Sequence, residues 1–389
     1  MLRTVGKARV GSHLFVVLCV TTLGVSQAFM PSSGFGVAEV FGTPHGRGFV
    51  GQLRPSTSQL RAGMGRAKVQ AWGLPGVKAS SEPPKPMSKY KLEATGSNLP
   101  KADSPKVEFP SLAPAEFRHP IDMRATRALQ RLFPFESVIR QGMGTVVEQA
   151  MALDNMSSGV RVGPNQLPKI YGSLQEAKKI LDLDIPVDLY VKQNPMPNAY
   201  TMAMQGKKPF IVVHSALIEL MTPEELQAVI AHELGHLKCE HGVWITAANI
   251  LTLFASNIPG IGDMVAQGMN SSIMRWLQAA ELSCDRASLL VVQDPRVVVS
   301  VIMKLVGGSA SFADEMNPDA YLKQAREFEE ESKNTWIGRQ FNSALATQLT
   351  HPLPVTRVRE LDQWSRSPAY RSLLKKGKPI AALAAPEVA

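Results

Sequence analysis

Residues 232–236 read His-Glu-Leu-Gly-His. On a helix, His232 and His236 lie one turn apart on one face. Two imidazoles there can hold one zinc ion, with Glu233 beside the metal as general base for its water. A polar stretch in an otherwise apolar helix, Glu281-Leu282-Ser283-Cys284-Asp285, follows about forty-five residues later. A carboxylate from Glu281, on a helix packed against the first, would complete a His-His-Glu site and leave one coordination position for water. Asp285, one turn further on, can accept the second ring N–H of a ligand histidine and fix its tautomer. Two histidines meeting by chance on a buried helix, or a Glu and an Asp on a solvated face, are the bland alternatives. Both patterns occurring together within apolar helices favours the metal site.

These side chains need two helices to present them. Thr222 can N-cap, Pro223 suits the first helical position, and Glu225 completes a capping box. Leu226, Val229, Ile230, Leu234 and Leu237 then recur at helical spacing in an apolar-periodic run from Thr222 to about Thr246. Trp276 to Val292 predicts the second metal-binding helix. Upstream, Ala125, Leu129 and Leu132 suggest a short helix, Val138 to Ala150 another, and Leu174 to Leu181 a third. Val187–Val191, Ala199–Met204 and Phe210–Val213 are short apolar runs separated by turn signals, and predict a small antiparallel sheet. Downstream, Val297 to Val306, Asp314 to Lys333 and Val355 to Trp364 read as helices, the middle one charged and superficial. The fold class is α+β, mostly helical.

His232–His236 followed by Glu281-x-x-x-Asp285 resembles the signature of metallopeptidase family 48, which includes type I CAAX prenyl proteases and HtpX-type membrane proteases. Asn198-Ala199 and His351-Pro352…Arg357 also match family positions. The resemblance covers roughly Phe117 to Trp364 and is strongest to short plastid and cyanobacterial members. It implies a zincin-like (gluzincin) domain, one Zn2+ per chain, and protein or peptide substrates. It further implies that Asn198, Ala199 and Tyr200 open a strand that lends backbone groups to an extended substrate. By the same resemblance His351 approaches the metal, either stabilising the oxyanion or occupying the open position until substrate displaces it, and Arg357 anchors that loop on a carboxylate.

The reading that follows is a zinc metalloendopeptidase in organellar protein quality control or processing, with Glu233 as base and no Ser or Cys nucleophile. A catalytically silent, chaperone-like zinc protein and a CAAX-type prenyl protease are the rivals. An intact Glu233 argues against the first, because a structural zinc site has no use for a base.

The formal net charge is +9 over 389 residues, but the first 80 hold nine basic residues and one acid, so +8 of it lies there. That placement marks a targeting segment rather than a nucleic-acid surface. Residues 1–28 have the basic start, apolar core and small-residue end of a signal peptide. Residues 29–80 are rich in Arg, Gly, Ser and Pro, as in a transit peptide. Together they resemble the bipartite presequence of complex plastids and predict a plastid location, at the stroma or a membrane surface; the secretory pathway or a membrane is the alternative. Residues 81–115 predict a Pro-rich linker, 116–375 the metallopeptidase domain, and 376–389 a flexible tail.

Val243 to Gly262 carries no charge. A single crossing there would put ligands of one zinc on opposite sides of a membrane. A helical hairpin folded onto the protein, or lying against a bilayer surface, meets both facts. Cys19 falls in the signal peptide. Cys239 and Cys284 imply no disulfide framework and read as core filler, with a redox pair or alternative metal ligands as the sharper reading.

Overall fold

The computed structural model describes residues 105–132, 145–203, 208–340, 349 and 351–380. The expected signal peptide, the transit-like segment, Cys19, the linker up to residue 104, and Val138 and Met143 of the second helix lie outside these residues.

Two short strands, β1 (Val107–Glu108) and β6 (Lys378–Pro379), pair antiparallel and tie the start of the described chain to its end. Gln293 clamps β1 through both backbone groups of Val107, at 3.0 and 2.6 Å. Phe109 and Leu112 are buried in the main core. Part of residues 107–115, assigned by composition to the linker, is therefore anchored in the core, and residues 378–379, assigned to the tail, are paired in a strand though exposed. Prolines dominate that composition, but the few apolar residues between them have a core to enter.

Helices α1 (Pro114–Phe117), α2 (Pro120–Leu132), α3 (Thr145–Ser158) and α4 (Pro168–Ile180) come next. A four-stranded sheet has the order β2-β3-β5-β4, with β2 Val160–Arg161, β3 Asp188–Lys192, β4 Ala199–Met202 and β5 Phe210–His214. It is mixed rather than antiparallel, because β3 pairs parallel with β5. The physical reason is burial. Every residue of β5 is buried, so this returning arm of the β4–β5 hairpin takes the centre and pushes β4 to the edge.

The short helix α5 (Ser215–Leu220) leads into α6 (Pro223–Lys238), the pillar of the domain. Thr222 Oγ1 accepts from Glu225 N at 3.3 Å and Glu225 Oε2 accepts from Thr222 N at 2.8 Å, the expected capping box. Every residue of α6 from Glu225 to Leu237 is buried. The apolar run to Thr246 is not one helix, however. Cys239 caps α6, Glu240 adopts φ 54°, and α7 (His241–Ser256) starts afresh.

Helix α8 (Gly262–Val292) begins well before the predicted Trp276 and returns antiparallel to α7 as the second arm of a hairpin. Its C-terminal half packs on α6, while α2 packs against both arms. Helices α9 (Pro295–Gly307), α10 (Pro318–Asn334), α11 (Pro354–Ser365) and α12 (Pro368–Lys376) close the far side. α10 has a solvated face, as expected, but also buries Tyr321, Leu322 and Ala325. Behind α6, Glu225 is buried with Lys304 Nζ at 2.7 Å and Ser300 Oγ at 2.5 Å, fixing α9 to the start of α6.

Candidate metal centre

Helices α6 and α8 meet at Gly235. A Cβ there would stand 2.9 Å from Cβ of Ala287 and 3.2 Å from Cα of Cys284. The missing side chain lets the two helices close, and this brings Glu281 to the histidines. His232 Nε2 lies 3.2 Å from Glu281 Oε2, and His236 Nε2 lies 3.4 Å from Glu281 Oε1. All three residues are buried. Two imidazole nitrogens and a carboxylate, converging from two packed helices, are a donor set suited to zinc.

The other predicted residues gather around this point. Asp285 Oδ1 is 3.2 Å from His232 Nδ1. Arg357, from the first turns of α11, grips Asp285 with two parallel hydrogen bonds, Nε to Oδ2 at 2.9 Å and a terminal nitrogen to Oδ1 at 2.6 Å. His351 sets Nδ1 3.2 Å from Glu281 Oε2. It also lines a cleft of about 310 Å³ with Gln278, Phe328, Thr356 and Glu360. Asn198 and Ala199 are buried where β4 enters the sheet beside α6, and Tyr200 is half-buried. Ala199 pairs with Val213, and among the described residues no strand pairs with the other side of β4.

Glu233 is 0% exposed, and among the described residues both its carboxylate oxygens lack a hydrogen-bond partner. Burial, with the negative charge of Glu281 adding to it, pushes its pKa up to about 8 in the metal-free protein. A buried carboxyl without partners is rare, because it costs the full desolvation of the group. His236 is driven down to about 4 by burial, which keeps its ring neutral and able to bind a metal. For His232, burial lowers the pKa but hydrogen bonds to Asp285 and Glu281 outweigh it, raising the value to about 9. Glu281 stays well below the usual carboxylate range: burial opposes this, and His351 together with the hydrogen bonds from His232 and His236 prevails.

Cys284 Sγ also lies within 4.8 Å of donor atoms of His232 and His236. Burial pushes its thiol well above the ordinary range, so it is a poor thiolate donor, whereas Glu281 is already ionised. Cys239 and Cys284 are both free and buried.

Asp122 and His241, near the centre, escaped the sequence reading, and Ser283 was read only as part of the polar stretch around Glu281. Asp122 of α2 is fully buried between α2, α7 and α8, His241 begins α7, and Ser283 of α8 donates to Asp122 at 2.7 Å. His241 Nδ1 lies 3.1 Å from Nδ1 of His236. An additional histidine five residues after His236 was the one available signal; Asp122 offered none.

A model of peptidase family M48 matches residues 174–365. Over 272 residues, 70% of this chain and 78% of the other, the sequence is 53% identical to a plastoglobule-localized metallopeptidase 48, chloroplastic, of Arabidopsis thaliana. It is 25% identical to a protease HtpX homolog of Moorella thermoacetica over 43% of this chain and 62% of that protein. A protease HtpX homolog of Tropheryma whipplei is 27% identical over 54% and 76%. The chain belongs to peptidase family M48 and is a metalloprotease of the α+β, zincin-like fold.

Proposed function

We propose that His232, His236 and Glu281 hold one zinc ion per chain and that Glu233 is the general base of an endopeptidase. The observation that carries this reading is Glu233 itself, wholly buried, unpartnered, and raised into the range where a carboxyl exchanges protons near neutrality. Zinc bound at this site supplies the Lewis acidity that activates water and polarises the scissile carbonyl. Glu233 takes the proton from the attacking water and hands it to the leaving amine. Asp285, clamped by Arg357, holds the His232 ring in orientation. The edge strand β4 receives an extended substrate at Asn198, Ala199 and Tyr200. In support, Asn198 is 2% exposed and its Oδ1 has no partner among the described residues. His351 would act beside Glu281, as a gate over the ligand cluster or as a donor to the tetrahedral intermediate.

The substrates are proteins or peptides, and the setting is a plastid, in line with the name of the Arabidopsis relative. A silent zinc-binding chaperone would retain the cost of burying Glu233 without using it. We also read the α7–α8 hairpin as a peripheral contact with a lipid surface. Phe254, Ile258, Ile261 and Met264 are exposed at its tip, and no helix among the described residues is long and apolar enough to cross a membrane.

Metal analysis and peptidase assays on three proteins test the active-site reading. Wild type should hold one zinc and cleave a casein-type substrate. Glu281→Ala should be depleted of zinc. Glu233→Gln should keep zinc and lose cleavage, because the amide cannot accept the proton. Full zinc in Glu281→Ala removes Glu281 from the ligand set, and wild-type turnover by Glu233→Gln removes the base.

A further inference from the structure

The two candidate zinc histidines are backed differently. Behind His232 stands a carboxylate, Asp285, in direct contact. Behind His236 stands another imidazole, that of His241, with the two Nδ1 atoms 3.1 Å apart. His241 in turn sets Nε2 3.1 Å from Oδ2 of Asp122. Asp122 is anchored on all sides. Ser283 Oγ also donates to Oδ2, while Trp276 Nε1 donates to Oδ1 at 2.9 Å and Thr126 Oγ1 to the same oxygen at 3.2 Å. These partners come from α2, α7 and α8, so the carboxylate is fixed by three helices at once.

We propose that Asp122 and His241 are positioning residues for His236, an outer support that reaches the metal ligand through a second histidine. The proposal rests on the reading of His236 as a zinc ligand. An ion on Nε2 of His236 leaves the ring hydrogen on Nδ1, which donates to Nδ1 of His241. His241 is then the Nε2–H tautomer and donates to Asp122. Each contact joins one donor to one acceptor, and the direction is set by the ion at one end and the carboxylate at the other. Such a chain fixes the ring plane of the ligand and raises its basicity, as a directly bonded carboxylate does for His232.

The backbone is shaped for this contact. In a continuous helix, residues 236 and 241 would project about 140° apart around the axis. The left-handed Glu240, φ 54°, ends α6 and folds His241 back until its ring centroid is 5.1 Å from that of His236, edge to face.

Donor atoms of Asp122, Cys239 and His241 also lie within 4.8 Å of one another, a set that could take a second ion. The hydrogen-bond pattern favours the support role, since each Asp122 oxygen already accepts from two donors.

The test uses the zinc-loaded full chain. Ring-nitrogen NMR of the 15N-histidine-labelled wild type should show His236 protonated at Nδ1 and His241 protonated at Nε2 alone. A hydrogen on His241 Nδ1 overturns the proposal, and this readout needs no variant. Zinc dissociation constants, from competition with a chelator, should then rise roughly 10- to 100-fold in His241→Phe, which keeps a ring but no acceptor. Asp122→Asn should weaken zinc about tenfold, and His241→Asn, whose carbonyl can accept from His236, should recover part of the His241→Phe loss. An unchanged constant in His241→Phe overturns the proposal. So does a wild type holding two zinc ions of which that variant loses one, since His241 would then be a ligand.

Discussion

At Glu233 the needs of chemistry and of stability diverge, and pH exposes the difference. Its folded pKa of about 8 lies above the ordinary carboxylate value, so between the two values the folded state holds a proton that the unfolded chain has released. Stability from this group is therefore fullest below the unfolded pKa. It falls as pH rises through that window and is flat above the folded value. Replacing Glu233 by Gln removes the penalty. The metal-free variant should be more stable than metal-free wild type at pH 8 by an amount on the order of a few kcal/mol, with the gap closing toward pH 5. Thermal melts of both proteins at the two pH values measure this; equal melting points at pH 8 would show that the carboxyl is not penalised by burial. The residues of the centre were legible where the signal is local. His232, Glu233 and His236 share one helix, and Glu281 and Asp285 one turn of another. Asp122 was invisible because its partner His241 lies 119 residues away. The proposed role of His241 depends on a left-handed turn at Glu240, a position that holds no Gly.

Among the elements, the α6–α8 contact decides whether the proposed ligands meet. Gly235 is the pivot, since its Cβ position is hemmed by the Ala287 side chain and by the Cys284 backbone, neither of which can swing away. Gly235→Ala gains about 1 kcal/mol of helix propensity, but overpacking at a rigid contact costs typically ~1–3 kcal/mol. The helices must also part by a few tenths of an ångström, carrying Glu281 from His232 and His236. The expected result is a folded protein of equal or lower stability that binds zinc at least several-fold more weakly. Chelator competition beside a thermal melt reads both, and wild-type zinc affinity would mean that the spacing is not critical. Helix positions were largely readable because the capping box at Thr222 and Glu225, and prolines at helix starts, are local chemistry. The sheet's pairing was not. Parallel β3–β5 contact follows from which strand is buried on both faces, and that is settled by the helices packed around it.

For the whole molecule, the described domain is anchored at both ends by the β1–β6 pair and shows one conspicuously unprotected part, the outer half of the α7–α8 hairpin. From Gly242 to Met274 the sole charged side chain is Asp263. The hairpin's inner half is held by Val243, Trp244, Ala247 and Trp276 against Leu129 of α2. Its tip exposes Phe254, Ile258, Ile261 and Met264. Alongside, α2 turns Arg124, Arg127 and Arg131 to solvent. An apolar tip beside a basic helix suits the surface of an anionic lipid layer, where buried side chains and cationic attraction add. Each large apolar residue entering the layer contributes ~1.5–3 kcal/mol and each arginine near an anionic surface ~1 kcal/mol. The protein should co-sediment with vesicles containing anionic lipid, less so at high salt. Phe254→Ser with Met264→Ser should weaken that binding more than tenfold while leaving zinc content unchanged, because neither residue touches the metal helices' contact. If wild type stays in the supernatant, or the double variant sediments equally well, the hairpin folds onto some other surface and the lipid reading fails.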